Sequence, residues 1–260
     1  MASHAATTAS LDHHDEEHPP PIYWSAATPI NRIGMLFFIG SEIALFGSFF
    51  MSYLFLRVAG VADYSSWAHQ IGSLLPLKIV TINSLVLFSS SVTIHYAEIA
   101  LTRGARRWQA FWLCATIALG AIFFSVQVFE FKDLLLNEYI GPSTSSYSSV
   151  FFSITGLHAT HVIVGLILLT VLLVRTLRGH YSPEPSKHVG FSTMAIYWHF
   201  VDVVWIFVFS LIYLPGNLDR WGHTNVLGIA GYGTFFIGIA IIIFLLNAPK
   251  LVGKGFAKTH

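Results

Sequence analysis

The sequence predicts an all-α integral membrane bundle of about six transmembrane helices with both termini cytoplasmic, and three observations carry that reading. Of the 260 residues, 54% are hydrophobic and only 10% are charged, against about 25% charged in an ordinary soluble domain. Six stretches reach the roughly 20 apolar residues that a helix rising about 1.5 Å per residue needs to cross a hydrocarbon core about 30 Å thick. Lys and Arg also fall unevenly on the two sides of those stretches, as they do when cytoplasmic loops hold the excess. A formal net charge of +1, with no block of basic residues, gives no electrostatic case for a nucleic-acid partner. The single cysteine, Cys114, permits neither an intrachain disulfide nor a thiolate metal cluster.

Residues 1–30, "MASHAATTASLDHHDEEHPPPIYWSAATPI", lack the basic start and apolar centre of a secretory signal, so they read as a retained cytoplasmic tail. Within them "HHDEEH" offers nitrogen and oxygen donors to a divalent metal, but a solvated polar tail stopped by Pro19 to Pro21 accounts for the same composition. The spans follow at 33–56, 79–101, 108–131, 150–174, 191–214 and 226–247. They are separated by turn-rich stretches such as "RGAR", "NEYIGPSTSS" and "RGHYSPEPSK". The first carries Gly40, Ala44, Gly47 and Ser48 on one face, a pattern that lets another backbone approach closely and predicts packing against protein. The last, with Gly228, Gly231, Gly233 and Gly238, has no ionisable group in its apolar core and reads as an anchoring helix.

Orientation follows from the basic residues. Arg32, Arg103, Arg106, Arg107, Arg175, Arg178, Lys187, Lys250, Lys254 and Lys258 fall on one side; Arg57, Lys78, Lys132 and Arg220 fall on the other. The richer side holds both termini and is taken as cytoplasmic.

Polar residues inside the spans carry the functional signal. An Asp at the centre of a spanning helix costs about 2.5–3.5 kcal/mol on insertion scales, so such groups need partners. Glu42 lies about 15 Å of helical rise beyond Arg32, near mid-membrane. Asp202 is similarly deep in "YWHFVDVVWIF", and His158, His161 and His199 join them. Gln127 and Glu130 lie toward the outer end of the third span. His199 and Asp202 are at i and i+3, as are His158 and His161, which predicts that each pair shares one helix face.

Three readings compete for this set. A di-metal bundle site needs a Glu-x-x-His pattern from two helices, which no span shows; heme ligation by His158 or His161 is chemically open. A proton relay would have Glu42 as its foremost member. The third reading, which ranks first, is a hydrogen-bonded polar core that fixes helix rotation. Aromatic side chains are the other conspicuous set. Phe37, Phe38, Phe46, Phe49, Phe50, Tyr197 and Phe200 read as packing or lipid-facing residues, while Trp24, Trp67, Trp108 and Trp221 fall near span boundaries, where amphipathic rings prefer to sit.

Five ordered segments resemble a known family. "YWHFVDVVWIFVFSLIY" resembles the last helix of subunit III of the heme-copper cytochrome oxidases. "RIGMLFFIGSEIALFGSFF", "INSLVLFSSSVTIHYAEIAL", "LGAIFFSVQVFEF" and "FFSITGLHATHVIVGL" resemble its earlier helices in the family's order, so that the likeness runs from about residue 31 to 214. The resemblance implies a subunit without redox centres in a terminal oxidase that reduces dioxygen to water and pumps protons. Hemes and copper would belong to partner chains: the catalytic subunit I, subunit II and small subunits. It implies bound phospholipid, support of proton uptake, and a bacterial inner-membrane location. Glu42 matches the buried carboxyl of the first shared helix, and His158, His161, His199 and Asp202 match internal polar positions; Trp198, Trp205 and His199 are the candidates for lipid contact. No metal ligands and no catalytic residues are expected in this chain.

Two departures stand out. Seven-helix members have two further helices ahead of "RIGMLFF", where this sequence has its polar tail, as shorter bacterial members do. The span in 215–260 lies outside the shared pattern. The expected division is therefore a tail (1–30), a five-helix bundle (31–214) and an extra helix with a short basic tail (215–260). A quinol oxidase or nitric oxide reductase complex could house the same chain. A secondary transporter or proton channel is the rival of another class, against which stand the absence of an internal repeat and of paired broken helices.

Overall fold

The computed structural model describes residues 24–58, 77–181 and 189–213. They form five helices: α1 (Trp24–Val58), α2 (Leu77–Thr102), α3 (Arg106–Leu136), α4 (Ser146–Leu177) and α5 (Val189–Val208), which runs on as a π-helical turn, Phe209–Tyr213. Each contains a stretch long and apolar enough to cross a membrane. The first five predicted spans thus coincide with α1 to α5; the sixth, 226–247, lies outside the described residues. α3 runs five residues past its predicted end at Phe131, through Lys132 and Asp133. The bilayer sets the length of the apolar run, whereas the backbone ladder stops only where a turn intervenes.

Local chemistry accounts for the helix ends. Between α2 and α3 the chain reverses over Arg103–Ala105. Gly104 takes a φ of 69°, and the amides of Gly104 and Ala105 donate to the carbonyls of Leu101 and Ala100 at 3.0 and 2.9 Å. α4 begins with a capping box: the Ser148 amide donates to Ser145 Oγ at 3.0 Å and the Ser145 amide to Ser148 Oγ at 2.8 Å. At the far end of α4, Gly179 turns the chain with a φ of 76°. Arg106, at the start of α3, donates to the carbonyl of Leu177, tying the two helix ends together. Beyond this turn, burial pushes the Tyr181 phenol above its ordinary pKa against the pull of the Arg175 guanidinium, which sits 6.0 Å from the ring.

Consecutive helices α2, α3, α4 and α5 pack side by side, and α5 returns to α2 to close the group. α1 lies outside that group, against α4 and α5. α5 is the most buried span and α1 the least. Among the described residues nothing packs against the small-residue face of α1. Gly40, Ala44 and Ser48 are exposed, and a Cβ added at Gly40 or Gly47 would meet nothing within 4 Å. α1 docks instead through Phe46 and Tyr53, two turns apart and both buried. Bulky rings fill the groove between α4 and α5, which a flat glycine face would leave void.

Candidate functional site

The polar residues of the spans fall into separate groups, each joining two or more helices. The first joins α1 to α4: His161 Nε2 and Glu42 Oε2 are 3.0 Å apart. The other ring nitrogen, Nδ1, lies 2.9 Å from the carbonyl of Leu157. A carbonyl can only accept, so Nδ1 carries a hydrogen, and the tautomer is fixed. Either a protonated Glu42 donates to a neutral ring, or a doubly protonated imidazolium donates to a carboxylate. Both states contain one proton between the two groups, so the pair forms a site across which a proton can shift. Tyr197 of α5 closes the group by donating to the carbonyl of His161 at 3.2 Å, and Phe46 covers the imidazole with ring centroids 5.2 Å apart.

A second group joins α2 to α5. Ser91 Oγ donates to Asp202 Oδ2 and lies 3.0 Å from His199 Nδ1. With its only proton spent on Asp202, Ser91 must accept from His199, which assigns that ring's hydrogen to Nδ1. The face that the i and i+3 spacing gives His199 and Asp202 meets α2, and the two are linked through a hydroxyl of that neighbouring helix. Residues at i and i+3 are offset by about 60° around the axis, and Ser91 sits where both side chains can reach it. Asp202 is fully buried, and its Oδ1 has no hydrogen-bond partner among the described residues.

His158 and His161 do not act together either. His161 points to α1, whereas His158 is fully buried against Trp205 and Phe123, at ring-centroid distances of 5.0 and 6.1 Å. Both of its nitrogens lack a hydrogen-bond partner among the described residues. The same offset of about 60° sends one ring to the α1 side and the other into the bundle. Toward the end of α3, Gln127 Nε2 reaches both Glu130 Oε2 and Tyr213 Oη at 3.3 Å. Tyr213 stands in the π-helical turn. Such turns often occur at functional positions.

Trp198 and Trp205 were expected to contact lipid; they do not. Both are fully buried inside the bundle. Their indole nitrogens donate to Ser90 and Ser84 of α2, each at 2.9 Å. Trp198 lies in a slot between α3 and α4 where Gly120 and Gly165 leave room: a Cβ at either would come within 2.9 or 2.7 Å of the indole. His199, the third candidate, is only partly buried.

The serines of α2, Asn83, which donates to the carbonyl of Phe123 at 3.1 Å, and Glu98, which accepts from Ser192 at 2.7 Å, complete the polar core. They were not singled out from the sequence. The one signal was the recurrence of Ser84 and Ser91 two turns apart on one helix. Among the described residues no three His, Cys, Asp or Glu side chains converge as a metal site.

Residues 25–217 match the family model of cytochrome c oxidase subunit III. The chain belongs to the cytochrome c oxidase subunit III family. The cytochrome c oxidase subunit 3 of Thermostichus vulcanus is 37% identical over 212 residues, covering 80% of this chain and 94% of that protein. That of Alkalihalophilus pseudofirmus is 35% identical over 184 residues, 71% of this chain and 86% of that protein. The Loxodonta africana protein is 37% identical over 188 residues, 72% of this chain but 70% of its own length. As a multi-pass member of the subunit III family, the chain holds its polar pairs within the matched region.

Proposed function

We propose that the chain serves as the subunit III of a proton-pumping heme-copper terminal oxidase, without a redox step of its own, with cytochrome c as the electron donor to the complex. The observation that carries this is the match to the subunit III family from residue 25 to 217, which spans every described helix. Hemes and copper would sit in the catalytic subunit I and in subunit II. This chain would contribute architecture, contact with phospholipid, and the proton-sharing pair Glu42–His161 beside the path of proton uptake. The location in this proposal is the bacterial inner membrane. The division into tail, bundle and extra helix is part of the same proposal.

Purification of the tagged full chain in a mild detergent tests it. A co-purifying chain whose spectrum shows heme and whose metal content includes copper is the expected result, with dioxygen consumption on addition of reduced cytochrome c. Recovery of the chain without heme-bearing partners, or with heme bound to the chain itself, would refute it. Oxidation of a quinol but not of cytochrome c would reassign the donor.

A further inference from the structure

α1 meets the bundle through Phe46 and Tyr53, both buried. At about 100° per residue, Gly40, Ala44 and Ser48 lie on the side turned away from the bundle, one turn apart, and all three are exposed. The serines of this helix spend their hydroxyls on its own backbone: Ser41 donates to the Phe38 carbonyl, Ser48 to that of Leu45 and Ser52 to that of Ser48, at 2.7, 2.7 and 3.0 Å. The result is a smooth, shallow strip about 12 Å long at about 1.5 Å per residue. Lipid chains gain little against such a strip, whereas a second helix with small residues of its own can approach backbone to backbone.

Residues 226–247, outside the described residues, carry a matching sequence. Ala230, Thr234 and Gly238 recur at the same spacing of four, and the large residues Ile229, Tyr232, Phe236 and Ile243 fall on the other side of a helix in that register. An odd number of crossings separates this span from α1, so the two run antiparallel. Ala44 and Thr234 stand near the middle of the spans 33–56 and 226–247, so the two strips share a depth to within about one helical turn. The connection permits the pairing. α5 runs on to Tyr213 beside the outer half of α1, where Phe207 and Phe50 have ring centroids 6.1 Å apart. Residues 214–225 span up to about 40 Å at about 3.3 Å each, against the about 20 Å of two helix-to-helix steps of 8–10 Å.

We propose that span 226–247 of this chain packs antiparallel on the face of α1 turned away from the bundle, with Ala230, Thr234 and Gly238 against Ser48, Ala44 and Gly40. α1 is then held from both sides, by the rings of α4 and α5 on one and by close backbone packing on the other. The segment lies beyond the family match, residues 25–217, and its docking requires no redox partner.

The test uses the full chain in native membranes, in a Cys114→Ala background that removes the single native cysteine. The pairs Ala44→Cys with Thr234→Cys and Ser48→Cys with Ala230→Cys should form intrachain disulfides on mild oxidation. Their yield should be about tenfold above that of Ala44→Cys with Phe236→Cys, because the bond needs Cα atoms within about 7 Å and side chains that face each other. Adding Ala44→Leu to the Ser48→Cys, Ala230→Cys pair should bring its yield down to that control, since a bulky side chain in the strip holds the backbones apart. Oxygen consumption by the complex reports that each variant has folded. Equal yields from Thr234→Cys and Phe236→Cys would overturn the proposal, as would the absence of a disulfide to α1 in every pair. A stronger disulfide from Thr234→Cys to Ala118→Cys, on the exposed flank of α3, would place the span elsewhere and overturn it too. So would a disulfide joining two differently tagged copies, which would make the strip a contact between chains.

Discussion

Gly165→Ala should destabilise the bundle by about 2–4 kcal/mol. The added methyl would lie 2.7 Å from two carbons of the Trp198 ring, about 0.8 Å inside the closest comfortable carbon separation of about 3.5 Å. The ring has little room to retreat. On its other side a Cβ at Gly120 would already be at 2.9 Å, and Trp198 is fully buried. Overpacking of this kind costs about 1–3 kcal/mol. A shift large enough to relieve it would stretch the indole–Ser90 bond from 2.9 Å to a length at which it no longer holds, adding about 1 kcal/mol. At about 1.4 kcal/mol per tenfold, the upper end is a shift of several hundredfold in the unfolding equilibrium. Graded SDS unfolding of the purified complex, followed by circular dichroism, measures it. Gly156→Ala, in the same helix, is the control: nothing lies within 4 Å of its added Cβ, and the gain in helix propensity should make it neutral or slightly stabilising. Equal midpoints for the two variants would refute the slot around Trp198.

Further outcomes follow from the hydrogen bonds. Ser91→Ala removes the hydroxyl that both His199 and Asp202 use, stranding the fully buried Asp202 at about 1–3 kcal/mol and the half-buried His199 at less; its loss of thermal stability should exceed that of Ser84→Ala, which strands only the Trp205 indole. Asp202→Leu should be milder than Ser91→Ala, because it removes a buried carboxyl and leaves Ser91 free to bond His199; a larger loss for Asp202→Leu would show that the carboxyl has another partner. Glu42→Gln should preserve assembly and heme content of the complex while abolishing the infrared carboxyl signal that exchanges with His161, and Glu42→Ala should in addition loosen α1, read as faster cleavage at an engineered protease site next to it. Retention of that infrared signal in Glu42→Gln would show that another acid produces it.

How much of this was legible in the sequence divides along a physical line. Span positions follow from hydrocarbon thickness, a property of the chain against its solvent, and α1 to α5 coincide with the apolar runs. That Glu42 and Asp202 need partners followed from the cost of burying them. Which partners they take depends on how each helix is rotated and at what height it meets its neighbour, and no single helix encodes that. His161 faces α1, His158 faces α5 and Ser91 stands between His199 and Asp202 because of registers set by packing across the whole bundle. Within "FSSSVT" the three serines look alike in sequence; packing gives Ser90 to an indole, Ser91 to an acid and an imidazole, and Ser89 to its own backbone. The glycines at 120 and 165 were visible as small residues, but their purpose appears only when Trp198 is placed between them.

Uneven burial gives the Glu42–His161 contact a second meaning. α5 is enclosed by its neighbours, whereas α1 packs mainly on α4 and α5 among the described residues, where Leu36, Phe37, Met51 and Phe55 are largely exposed. In water that exposure would drive association; in a bilayer, lipid chains solvate those side chains equally well, so the hydrophobic effect does not dock α1. What remains includes shape packing at Phe46 and Tyr53 and the hydrogen bond between Glu42 and His161. The pair that shares a proton is therefore also a polar link between α1 and α4. Any change in its protonation acts on the seat of α1 as well as on local charge. A glutamine at this position can still donate to the imidazole but cannot lose a proton, so it separates the two roles in a way that an alanine cannot.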